Sequence, residues 1–100
     1  MDYKVQAVHF TADPKLLDFV KWKVEKLTHF HDRIVGAEVF LKVDKKESHS
    51  NKVAEIRMNI PGKELFASKQ CDSFEAAADE AVEALRKQLR KHKDKLGVKS

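Results

Sequence analysis

The feature that most restricts what this chain can fold into is one long amphipathic stretch near its C-terminal end, Ser73 to Leu96. On a wheel of 100° per residue with Leu85 at the origin, Phe74, Ala78, Ala81, Val82, Leu89, His92 and Leu96 all fall within roughly 50–60° of it. A stripe that continuous predicts a single helix that must cover an apolar surface made by the rest of the chain. Asp72 or Ser73 caps its start, although Ala76 in place of Glu or Gln leaves the capping box incomplete. Gly97 suits a C-cap, and residues 97–100 are expected to be a frayed tail on a single domain spanning 1–96.

Charge is unevenly spread along this helix. Its first half carries Glu75, Asp79, Glu80 and Glu83; its second half carries Arg86, Lys87, Arg90, Lys91, Lys93 and Lys95, opposed only by Asp94. From Ala84 to Ser100 the balance is +6, against +4 for the whole chain, so residues 1–83 sum to −2. Two or three cations near a helix C-terminus would complement its dipole, and Glu83 with Lys87 is a favourable i,i+4 pair. Six within ten residues exceed that need, because Arg86 and Arg90, and Lys87 and Lys91, repel at i,i+4 spacing. The excess points to a polyanionic partner, for which phosphate neutralisation with counterion release supplies affinity. The two arginines among the lysines can fork onto phosphate oxygens.

The remaining chain supplies the surface that the helix needs. Tyr3 to Phe10 alternates, with Tyr3, Val5, Ala7 and His9 on one face, and reads as a strand. Asp13-Pro14 begins a helix, with Asp13 or Thr11 as its cap, and Leu17, Val20, Val24 and Leu27 form its apolar stripe as far as His29 to His31. Val35 to Val43 and Val53 to Ile60 alternate as strands, placing Ala37, Val39 and Leu41, and Ala54, Ile56, Met58 and Ile60, on their inner faces. Asp44 to Asn51 is a polar hairpin loop, Pro61-Gly62 a turn, and Lys63 to Lys69 a shorter strand. The resulting order is βαβββα, an α+β fold. Its first two strands run parallel through a right-handed crossover, the other strands form a meander, and both helices cover one face of a four-stranded mixed sheet. Glu38, Lys42, Glu55 and Arg57 are expected on the open face.

Size and composition exclude several classes. One hundred residues suit one domain, and 36% charged residues with only three Gly and two Pro are unlike a low-complexity chain. No apolar run is long enough for a signal peptide or a membrane span, and the single cysteine, Cys71, fits a reducing cytoplasm. Five histidines raise a metal reading, but no second Cys or His pair stands at ligand spacing. No phosphate loop, acid–base pair or nucleophile with a base emerges, so neither an enzyme nor a cofactor is expected. Lys23, Lys26 and Arg33 border a groove with the basic helix if the two helices lie side by side. Phe40 and Phe66 are weighed as base-stacking residues on the open sheet face, against ordinary cross-strand packing. His92, on the apolar stripe, is read as a packing residue or an RNA contact.

Several stretches carry a family resemblance. They are Glu75-Ala76-Ala77-Ala78-Asp79 through Leu85 and Gln88-Leu89, the run Lys91-His92-Lys93-Asp94-Lys95-Leu96, Lys26-Leu27 with Asp32-Arg33-Ile34, Leu41-Lys42-Val43, and Phe66-Ala67-Ser68 leading to Asp72. Together they resemble the ribosome hibernation-promoting factor and ribosome-associated inhibitor family, also called the sigma-54 modulation protein family, in its short form. The resemblance implies a βαβββα fold related to double-stranded-RNA-binding domains. It also implies binding to the small ribosomal subunit and its rRNA in the mRNA and tRNA channel, and inhibition of translation in stationary phase or starvation. Any pairing of ribosomes would then need a separate dimerising factor. By matching position the resemblance implies RNA contacts at Lys23, Lys26, Arg33, Lys42, Lys87, Lys91 and Lys93, while Arg86, Arg90 and Lys95 rest on charge. Glu75 stands where many members have an aromatic, and Ala84 where many have a lysine. A general double-stranded-RNA-binding module and a protein-interaction regulator of transcription are the alternatives. No membrane or small-molecule substrate is expected as a partner.

Overall fold

The structure is a computed structural model that describes residues 1–31 and 33–96, with side chains through residue 92. The elements run β1 (Asp2–Ala7), α1 (Pro14–Glu25) continued by a 3₁₀ segment (Lys26–His29), β2 (Gly36–Val43), β3 (Lys52–Ile60), β4 (Lys63–Cys71) and α2 (Phe74–Leu96). This is the βαβββα order, and the sheet order is β1-β2-β3-β4. β1 pairs parallel to β2, with Val5 opposite Val39; β2 with β3 and β3 with β4 are antiparallel, with Val39, Ile56 and Ala67 in register. The expected frayed tail at 97–100 lies outside the described residues.

Both caps are local side-chain hydrogen bonds. Asp13 Oδ1 accepts from the Lys15 N–H at 2.8 Å, so Asp13 rather than Thr11 closes the start of α1, with Pro14 in its first turn. Ser73 Oγ accepts from the Ala76 N–H at 3.0 Å and caps α2. Asp72 is engaged elsewhere: its Oδ1 accepts from the Ser50 hydroxyl at 2.7 Å, tying the β2–β3 loop to the end of β4. At the β3–β4 turn Gly62 takes φ +77°, a value that a side chain disfavours.

The structure departs from the sequence reading at the end of β1, at the end of β4 and in the buried face of α1. β1 stops at Ala7 rather than Phe10, because His9 takes a left-handed φ of 61°. The chain turns there, and Phe10 stacks on Phe74 with ring centroids 5.0 Å apart and 7° between planes, joining the starts of both helices. β4 continues to Cys71, two residues beyond the expected end. In α1 the buried residue of the first turn is Leu16, whereas Leu17 is only partly buried. Leu16 lies on the same edge of the helix wheel as Leu27, and these two rotate the buried arc away from Leu17.

The core lies between the sheet and the helices. Val39, Leu41, Ala54, Ile56 and Met58 project from the sheet against Val20, Val24 and Leu27 on one helix side and Ala77, Ala78, Ala81, Leu85 and Leu89 on the other. α2 lies across β3 and β4 and beside α1. Contacts across the helix seam advance together in sequence: Phe10 with Phe74, Lys23 with Asp79, Phe30 with Arg86 and His31 with His92. The helices therefore run in the same direction, and the 3₁₀ segment ends beside the basic half of α2. Leu16→Ala is expected to cost about 2–4 kcal/mol in denaturant unfolding, and Leu17→Ala only about 1 kcal/mol. Equal losses would place the buried face of α1 wrongly.

Candidate nucleic-acid interface

The two faces of the sheet differ electrostatically. The strand register puts Lys4, Glu38, Arg57 and Phe66 in one outward row and Gln6, Phe40, Glu55 and Ser68 in the next. Charges on this open face are largely paired. Arg57 lies 2.8 Å from Glu64 and 3.9 Å from Glu38, and Lys42 Nζ lies 3.1 Å from Glu55. Counting Asp2, Glu38, Glu55 and Glu64 against Lys4, Lys42 and Arg57, the face carries −1. Lys42 is thus on the opposite side of the sheet from the helical cations and already faces a carboxylate. Phe66 is exposed across from Arg57, and Phe40 is partly covered.

The helical face carries the remaining candidates. Lys23, near the end of α1, reaches Asp79 of α2 at 2.5 Å. Arg86 forks onto Glu83 one turn earlier and also sits over the Phe30 ring, 5.6 Å from its centroid. Hydrogen bonding from Arg86, with help from Lys87 and Lys23, holds the Glu83 carboxyl below the ordinary glutamate value and raises Arg86 in turn. Lys26, Arg33, Lys87, Arg90 and Lys91 are exposed, and among the described residues none of them forms an ion pair. The side chains of Lys93 and Lys95 lie outside the described residues.

The fold brings these cations together along α2 in two flanks. Arg86 and Arg90 face the α1 seam, beside Lys23, Lys26 and the 3₁₀ segment. Lys87 and Lys91 lie on the β4 side, where Lys87 lines a shallow depression with Lys69, Glu80 and Glu83. Arg33 lies four residues beyond the end of the 3₁₀ segment. Its backbone N–H donates to His31 Nδ1 at 3.1 Å, and the His31 ring lies 6.3 Å from that of half-buried His92. Lys23 and Arg86 therefore fix the geometry of the seam, whereas Lys26, Arg33, Lys87, Arg90 and Lys91 present charge outward. An array of ammonium and guanidinium groups on a convex helical surface suits phosphate oxygens spaced along a backbone.

Sequence reasoning passed over two aromatics in this region. Trp22 and Phe30 are 53% and 49% exposed. Lys26 Nζ lies 4.3 Å from the Trp22 ring centroid and Lys23 Nζ 5.8 Å. The signal was present, because Trp22 falls about 160° from Val24 on the helix wheel, opposite the buried stripe. Cys71 is half-buried; desolvation and a hydrogen bond with Glu80 push its thiol up, which lowers the thiolate fraction that nucleophilic chemistry needs. Among the described residues no three His, Cys, Asp or Glu side chains gather as a metal site, and no helix is long and apolar enough to cross a membrane.

Two parallel helices on one face of a mixed four-stranded sheet, with cations massed at the far end of the second, define a small α+β fold with a basic helical face. Residues 3–97 match the model of the family described as sigma 54 modulation protein / S30EA ribosomal protein, and the chain belongs to that family. It is 39% identical over 96 residues to a ribosome hibernation promoting factor of Klebsiella oxytoca, covering 96% of this chain and 97% of the relative. It is 38% identical over 81 residues to the ribosome hibernation promoting factor of Escherichia coli strain K12, covering 81% of each. The fold is shared with a ribosomal subunit interface protein from Coxiella burnetii, with TM-score 0.83 and 19% identity over 93% of this chain and 98% of that one. It is also shared with the N-terminal domain of Thermus thermophilus Protein Y, with TM-score 0.79 and 24% identity over 92% and 99%.

The Glu83–Arg86 pair gives a direct test of the side-chain arrangement along α2. In an NMR titration the Glu83 carboxyl is expected to titrate below the usual glutamate value of about 4.3, and to return toward it in Arg86→Ala. Its folded value is depressed, so the pair's contribution is present at neutral pH and is lost as pH falls through that value. An unchanged midpoint in Arg86→Ala would show that the pair does not form in solution.

Proposed function

We propose that this chain promotes ribosome hibernation by docking its basic helical face on rRNA of the small ribosomal subunit, within the channel used by mRNA and tRNA. The observation that carries this reading is the set of exposed cations Lys87, Arg90 and Lys91 on α2, which form no ion pair among the described residues, bordered by Lys26 and Arg33, in a chain of this family. Lys87, Arg90 and Lys91 contact phosphates, joined by Lys93 and Lys95 farther along the helix. Lys23 and Arg86 hold the two helices in the register that the RNA surface meets. Folded rRNA is recognised by shape and backbone charge, since the A-form major groove hides its bases. The body of the protein, residues 1–96, then obstructs tRNA and mRNA sterically. No bond is made or broken, no cofactor is needed, and the site of action is the cytoplasm.

The triple variant Lys87→Ala, Arg90→Ala, Lys91→Ala is expected to lose most co-sedimentation with small subunits at moderate salt. The slope of log Kobs against log[salt] should become shallower by roughly 2–3. Lys42→Ala, on the open face and already paired with Glu55, is expected to weaken binding less than about twofold, as for an exposed pair. Undiminished binding by the triple variant would remove α2 as the docking surface. Equally tight binding to any naked RNA duplex would replace the ribosomal reading with that of a general double-stranded-RNA module.

A further inference from the structure

We propose that Trp22 is a stacking platform for an unpaired nucleobase, with Lys26 positioned for an adjoining phosphate. The proposal deepens the reading of the helical face as an RNA-binding surface and rests on it. Trp22 is the only tryptophan of the chain and stands on α1 opposite the buried stripe, more than half exposed. Nothing in the core requires an indole there. Phe30 is a second exposed ring, eight residues further along and beneath Arg86. Each ring has a cation at 4.3–5.6 Å from its centroid, so the apolar surface and the positive charge coincide.

That coincidence selects the partner. An apolar protein surface laid on Trp22 would strip water from the Lys26 ammonium, 4.3 Å from the ring centroid, without supplying a counter-charge. A regular duplex supplies phosphates but keeps its base faces stacked inside. An extruded or single-stranded nucleotide offers both a π-face for the indole and a phosphate for Lys26, which is how aromatic side chains bind unpaired RNA. The cation–π geometry keeps Lys26 over the ring in the absence of RNA, so the two parts of the subsite are assembled beforehand.

The experiment uses the intact chain with two probes, hexauridylate and a blunt 12-base-pair RNA duplex, at low salt. Hexauridylate titrated to millimolar concentration is expected to quench Trp22 fluorescence, and the duplex to leave it nearly unchanged. Measured by anisotropy of labelled RNA, Trp22→Ala should weaken hexauridylate binding on the order of tenfold, with duplex binding unaltered and Trp22→Phe retaining most of the affinity. Absence of quenching, or equal losses for both probes in Trp22→Ala, overturns the proposal. So does a loss of ribosome binding in Trp22→Ala with no change toward either RNA, which would assign the patch to a protein partner. If Trp22→Ala is silent while the Lys87, Arg90, Lys91 triple variant still loses ribosomes, only the stacking site falls. If the triple variant also binds ribosomes normally, the underlying reading falls with it.

Discussion

Everything else in this structure depends on the burial of one helix stripe against two strands. α2 sets Ala77, Ala78 and Ala81, then Leu85 and Leu89, on Ile56, Met58, Leu65 and Ala67 of β3 and β4. Phe74 opens the buried stripe, three alanines follow, and Val82, Leu85 and Leu89 complete it. Burying side chains of this size removes apolar area worth roughly 25 cal/mol per Å², and that burial fixes the rotation of the helix about its axis. Once the rotation is fixed, the direction of every cation on the helix is fixed as well. The basic face is therefore a product of the core as much as of the charge sequence.

The acidic half of α2 acts as a counterpart to the basic half. Asp79 engages Lys23 across the helix seam, and Glu83 engages Arg86 within α2. Exposed pairs of this kind contribute little stability individually. Their effect is geometric, since each links a specific turn of α2 to α1 or to its own following turn. Beyond Glu83 the sequence of α2 carries a single acid, Asp94, against six Lys and Arg, and these cations stand in the field of the helix C-terminus, which favours positive charge. The open face of the sheet has the contrary organisation, with Lys42 and Arg57 each facing a glutamate.

Much of the fold was legible because alternation and helical periodicity are strong signals in this chain. β2 and β3 alternate so regularly that their inner residues could be named, and the stripe of α2 could be placed around Leu85. Where the reading missed, a specific physical cause intervened. Alternation through His9 and Phe10 continues in the sequence, but a left-handed turn at His9 ends the strand and sends Phe10 to Phe74. Leu16 and Leu17 are adjacent and equally apolar, so periodicity alone could not choose between them. For the site, the charge excess was legible but its partition was not. Lys23 and Lys26 look alike in sequence; only the side-by-side packing of the helices shows that one meets Asp79 while the other projects over Trp22. Lys42 likewise reads as one more basic residue until strand register places it on the far side of the sheet, opposite Val53 and beside Glu55.

The stacked rings of Phe10 and Phe74 pin the two helices where both begin, and the Lys23–Asp79 bridge fastens them again midway. At the opposite end the Arg86 guanidinium over the Phe30 ring and the His31 ring beside His92 continue the same join. Fastened at both ends and in the middle, the two helices present the basic surface as one fixed unit, not as two arms that a polyanion would first have to gather.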